Sequence, residues 1–283
     1  MSRRAAIATT ALIAVLLAPR LSHATPAQAG PANPAPAAHA APSPAPIKAT
    51  PEERAAADRM APLAQAAFWG REAQLDPTDA EAGVKLSAAL RALGQYDAAI
   101  QSAGRVLVLD PKNFAALMET ARAYVAAGQG FYAIDPLQRA QALAPKDWRP
   151  LSLLGIAYAE VRRQQDAQTA WRAALALSPD NPSVLSNMAM EMAADGDAAG
   201  AEPLLRRAAA QPTASLTVRQ DLTLVLGLEG KLSEAETLLR QDLPPEQADA
   251  DLAYLQAAYA GRGSAESTAA AARTWESMKT GGS

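Results

Sequence analysis

Cysteine is absent from the 283-residue chain. That removes disulfides, thiolate nucleophiles, zinc ribbons and a lipidated cysteine together. Histidine is nearly absent: His23 and His39 both fall in the N-terminal segment, so the remainder lacks the common nucleophile–base pairs and most zinc sites. Aromatics make up only 5% and β-branched residues are sparse, which argues against sheet. The 49% hydrophobic content is carried mostly by Ala and Leu, both strong helix formers. An excess of one charge is also missing. The net charge is -3 with both signs mixed, so there is no basic footprint for nucleic acid and no polybasic segment for anionic lipid. No phosphate-cradling glycine loop is present, and Gly261-Arg262-Gly263-Ser264 reads as a helix stop. Glu119, Glu160 and Asp221 could pair, but carboxylates on helix faces are ordinarily solvated. No catalytic, cofactor or metal constellation emerges, and no small-molecule substrate is implied.

A membrane-spanning hydrophobic run is lacking too. Residues 5–18 are uncharged, but they are shorter than the roughly 20 residues a bilayer core requires. With Arg3 and Arg4 before them and Ser22-His23-Ala24 after, they read as a secretory signal cleaved after Ala24. An uncleaved anchor is the alternative, which the short run disfavours. A periplasmic protein is expected, associated with membrane only through partners or that retained signal. Residues 25–51 contain eight prolines in 27 positions and cannot bury a core. At about 3.1 Å per residue such a spacer reaches roughly 80 Å. The expected organisation is a signal over 1–24, a Pro/Ala-rich linker over 25–50, a folded region over 51–260 and a polar tail over 261–283. Thr50, Pro51 and Glu53 form a capping box that opens the folded region, and Pro62 interrupts its first helix.

What is present is a period. Proline recurs at 77, 111, 145 and 179, each 34 after the last, with Leu two residues before and Asp or Asn two residues after. LSPDNP at 177–182 is one of four copies of this mark. Proline stops one helix and Asp or Asn caps the next. A calcium loop needs more clustered oxygen ligands than these copies supply. Alanine recurs at 99, 133, 167, 201 and 235, and glycine at 94, 128, 196 and 230, with Arg162 standing where one glycine is due. Each unit therefore reads as helix, tight turn, helix, the glycine giving the left-handed turn. Five units are expected over about 80–113, 114–147, 148–181, 182–214 and 215–245. A leading half-unit falls over 62–75, and a closing helix carries Leu252, Leu255 and Tyr259.

Leu154-Gly155, Tyr158, Ala167, Trp171, Ala174 and Pro179 resemble the tetratricopeptide repeat. The resemblance implies an all-α solenoid, a right-handed superhelix of helix-turn-helix repeats whose first helices line a concave face. By repeat position that face should present Lys85, Ala88, Glu119, Arg122, Arg149, Ser152, Ile156, Asn187, Met190, Gln220 and Leu224. Of these, Lys85, Glu119, Arg122, Arg149, Ile156, Asn187, Met190 and Gln220 are the candidate peptide-binding residues. Relatives that grip a peptide C-terminus use Lys, Arg and Asn here, and others carry an asparagine ladder. In this chain only Asn187 holds the ladder position; Lys85, Glu119, Leu153 and Asp221 are its equivalents. Neither mode is supported, and a mixed groove suits an extended segment or helix of a protein partner.

The C-terminal stretch at 218–255, VRQDLTLVLGLEGKLSEAETLLRQDLPPEQADADLAYL, resembles TadD-type proteins. So do SPDNPSVLSNMA at 178–189, Gly196-Asp197 and the Ala201-Glu202 pair. TadD-type proteins are tetratricopeptide proteins of tight-adherence (Flp, type IVb) pilus assembly. The resemblance implies a non-catalytic scaffold that meets another component of that machine, such as the outer-membrane secretin. Several such proteins carry a lipidated cysteine, and this chain has none, which favours a soluble periplasmic form. The alternatives are a general cell-envelope adaptor or chaperone-like protein unrelated to pili, and an enzyme with its site inside the superhelix.

Overall fold

A computed structural model describes residues 47–261. The expected signal, most of the expected linker and the tail beyond Gly261 lie outside the described residues. Thirteen α-helices and no strand occur among those described. The first, α1 (Pro51–Ala57), opens on the expected capping box: Thr50 Oγ accepts from Glu53 N–H at 3.3 Å and Glu53 Oε2 accepts from Thr50 N–H at 2.7 Å. Helix α2 (Pro62–Leu75) then starts with proline at its first position, where the missing N–H costs nothing.

Five helix pairs follow: α3 (Ala80–Ala92) with α4 (Tyr96–Leu109), α5 (Phe114–Ala126) with α6 (Gly130–Leu143), α7 (Trp148–Glu160) with α8 (Gln164–Leu177), α9 (Pro182–Ala194) with α10 (Ala198–Ala209), and α11 (Leu216–Leu228) with α12 (Leu232–Asp242). Helix α13 (Pro245–Ala260) closes the stack. The punctuation acts as its chemistry dictates. Asp79, Asn113, Asp147 and Asn181 each accept a hydrogen bond from a backbone N–H in the first turn of α3, α5, α7 and α9. This satisfies donors that a helix start otherwise leaves unpaired.

Within a unit the turn is left-handed. Gly94, Gly128, Gly196 and Gly230 have φ of +71°, +69°, +95° and +81°. Arg162 adopts φ +61° at the matching position of the third unit. The unit geometry, not the residue, sets this conformation, and Arg162 bears the Cβ crowding that glycine escapes.

Close helix approach makes the core. Ala99, Ala133, Ala167, Ala201 and Ala235 are all fully buried, one per second helix. Opposite them the first helices carry Ser87, Ala121, Gly155, Ala189 and Thr223, also 34 apart and also buried. The two sets meet: Ser87 Oγ donates to the Ala99 carbonyl at 2.8 Å. In the third unit the absent side chain at Gly155 admits the Trp171 indole, whose Nε1–H donates to the Ser152 carbonyl at 3.1 Å. Helices pack only on those one or two places away, and the first helices of adjacent units touch each other from α3 through α13.

The N-terminal end is closed by charge as well as packing. The Arg54 guanidinium reaches Glu72 at 3.0 Å, Asp79 at 2.5 Å and Glu81 at 2.9 Å, and lies over the buried Trp69 ring. Glu72 is only 1% exposed, so its carboxylate depends on that cation and on the Ala49 N–H, which donates to it at 3.0 Å.

Two outcomes follow for stability. In Gly155→Ala, the new Cβ would sit 2.2–2.5 Å from indole atoms of Trp171. Overpacking of this kind costs about 1–3 kcal/mol, against a helix-propensity gain of about 1 kcal/mol. Urea unfolding should show a net loss, whereas Gly104→Ala in α4, where a Cβ meets nothing within 4 Å, should stabilise. Arg162→Gly relieves a left-handed cost of about 1–2 kcal/mol and adds about 0.5–1 kcal/mol of chain entropy. A small rise in the urea midpoint is expected.

Candidate protein-binding groove

The first helices of the third, fourth and fifth units converge on a groove of about 700 Å³. Its floor is one face of α9: Ser183, Ser186, Asn187, Met190, Glu191 and Ala194, at the spacing that keeps side chains on a single helical face. One wall is the C-terminal half of α7 and its turn, with Ile156, Ala159, Glu160 and Arg162. The other is the start of α11, with Thr217, Val218 and Asp221, and Trp171 of α8 reaches the lining between α7 and α9.

Polar contacts tie the three helices together. Ser186 Oγ donates to Asp221 Oδ2 at 2.5 Å, and Asn187 Nδ2 approaches Ser152 Oγ at 3.5 Å. Asp221 is 4% exposed and is held within the wall. Glu160 serves α6 as well: the Gly130 N–H donates to its carboxylate, at a helix start where Gln129 supplies no side-chain cap. Even so, burial outweighs that bond and pushes the Glu160 carboxyl above the usual range. Glu191 is pushed up by burial and then by the neighbouring Asp195, with Arg162 partly offsetting both. The lining holds four carboxylates (Glu160, Glu191, Asp195, Asp221) against one guanidinium.

Of the residues expected on the concave face, Ile156, Asn187 and Met190 line this groove. The others lie outside this lining. Lys85 pairs with Asp58 at 2.6 Å and lies over Trp69, so it faces the N-terminal end. Glu119 is buried between Arg91, at 3.2 Å, and Arg122. Arg149 pairs with Asp147, the cap of its own helix, and stacks on Phe114. Gln220 is half-buried beside Asp221 but outside the lining, and Leu224 is fully buried in the core. Sequence reasoning did not place Glu160, Arg162, Glu191 or Asp195 in the site. A signal for them existed. Glu191 stands where the other units have the buried Ala89, Ala123, Ala157 and Val225. Glu160 stands where they have Ala92, Ala126, Ala194 and Leu228, and Arg162 where they have glycine. Among the described residues no cluster of three or more His, Cys, Asp or Glu could hold a metal, and no helix is long and apolar enough to cross a membrane.

Because the Glu191 carboxyl is raised in the folded chain, the folded state holds more protons than the unfolded one just above the ordinary carboxylate range. Stability therefore falls as pH rises through that window, and the deficit persists at neutrality. Glu191→Gln should raise the thermal midpoint at neutral pH and flatten that part of the stability–pH curve.

No protein-family model matches the chain, and no curated protein matches it. Solved structures do. TTC0263, a thermophilic TPR protein in Thermus thermophilus, is similar with a TM-score of 0.54 and 22% identity, over 62% of this chain and 94% of that one. MamA from Desulfovibrio magneticus RS-1, residues 41 to the end, has a TM-score of 0.49 and 23% identity, over 56% and 89%. The likeness to the Thermus protein is one of fold: the described residues form an all-α solenoid of the tetratricopeptide-repeat type.

Proposed function

We propose that this chain is an exported, non-catalytic scaffold that holds a protein partner in the α7–α9–α11 groove. The observation that carries the reading is the groove itself. Three parallel-stacked first helices leave one open face that sets the apolar Met190 of the floor and Ile156 of one wall among polar residues. Such a face fits a segment of another polypeptide better than a small molecule, which is ordinarily enclosed on most sides. Repeat solenoids of this fold present concave surfaces to partners, and fold alone does not choose among them.

The setting proposed is tight-adherence (Flp, type IVb) pilus assembly, with the outer-membrane secretin or a neighbouring component as the partner. Support comes from the sequence resemblance at 218–255, which spans α11, α12 and the first part of α13. The signal-like residues 1–24 support export to the periplasm, with the Pro-rich linker as a tether.

Deleting the gene should abolish surface pili and adherence, and re-expression should restore both. Normal piliation in the deletion strain would reject the pilus setting. An alkaline phosphatase fusion at the C-terminus should be active if the chain is exported, and an inactive fusion would reject the periplasmic location.

A further inference from the structure

Three positions break the repeat's own rule within one groove. Glu160 and Glu191 replace small or apolar residues of the other units, and Arg162 replaces the turn glycine despite its left-handed backbone. Departures from local consistency that cost stability are expected where a site is built. Here they meet on one surface, beside the apolar Met190 and Ile156, with the exposed Asp195 adding further negative charge.

We propose that the groove recognises a cationic segment of a partner protein, with Lys or Arg side chains set beside at least one apolar anchor. This rests on the scaffold reading above and adds the chemistry of the partner. The acids outnumber the single lining cation, and the Arg162 charge offsets only part of the upward push on the Glu191 carboxyl. Glu191 is half-buried and lies one helical turn before the exposed Asp195, whose like charge it feels, and an incoming cation compensates both the lost solvation and the repulsion at Glu191. Met190 and Ile156 supply the apolar contact that distinguishes a fitted segment from diffuse attraction. The floor from Ser183 to Ala194 is about 17 Å long at 1.5 Å per residue, enough for about three helical turns of the occupant. The sign is opposite to a site that grips a peptide carboxylate.

Two measurements decide the matter. Full-length protein is titrated into a short fluorescein-labelled peptide of lysine and leucine, and into its counterpart with glutamate at every lysine. Anisotropy should report binding of the first only. The double variant Glu191→Gln/Asp195→Asn should weaken it about tenfold or more. Met190→Gln, which leaves the charges intact, should weaken it as well. The double variant removes no ion pair, Met190 is only partly buried where it packs on the core, and circular dichroism checks that each variant stays folded. Equal binding of both peptides, or indifference to the double variant, overturns the proposal. In cells, a photo-crosslinking residue at Ala194 should trap a partner whose mapped segment carries net positive charge. A trapped segment that is neutral or net negative overturns the charge inference and leaves the scaffold reading standing. No trapped protein in piliated cells overturns both.

Discussion

Everything in this structure depends on how closely two backbones can approach within each unit. The fully buried alanines at 34-residue intervals, facing Ser87, Ala121, Gly155, Ala189 and Thr223, set that distance. With small residues on both sides, the larger ones can interdigitate around the crossing: Leu137, Trp171, Leu205 and Leu239 lie four residues after the alanines of their own second helices and are buried to 2% exposure or less. Interiors packed to this density do not absorb an extra methyl group, so the small positions are as constrained as the large ones. Ion pairs that bridge helices, such as Arg206 of α10 to Glu234 of α12, lie at the solvent edge and contribute little by comparison.

The fold was legible because the same physical problem is solved five times. Proline stop, Asp or Asn cap, turn glycine and crossing alanine recur at one interval, and each recurrence strengthens the others. The closing helix was legible through Leu255, which packs onto Gly227 and is fully buried. Where the repeat drifts, in the fourth unit with Met188 and Met192, the helices persist because Asn181 and Asp197 still cap them.

The groove was legible only in part, for the same reason. Counting by repeat position brings out what conforms, so Asn187, Met190 and Ile156 could be placed on the concave face. It does not show which side chains also pair with one another. Lys85, Glu119 and Arg149 occupy the right helices, yet each is committed to a neighbour. The residues that distinguish the groove are the exceptions: a glutamate at a core alanine position and an arginine at a glycine position. Periodicity shows them as defects, and only the packing of α7, α9 and α11 shows that the defects share a surface.

Every helix contact joins elements one or two steps apart along the described chain. No segment has to travel far to find its neighbour, so topology favours rapid, local assembly over slow search. The same arrangement means that loosening one end does not sever a distant strand or empty a central core. Damage peels inward unit by unit, and the Arg54 latch and α13 are the two ends where peeling must begin. Among the described residues, a groove placed over the third to fifth units has α1, α2 and two whole units on its N-terminal side and α13 alone beyond the fifth unit. Within the described residues, fraying should therefore reach that groove first from the α13 side.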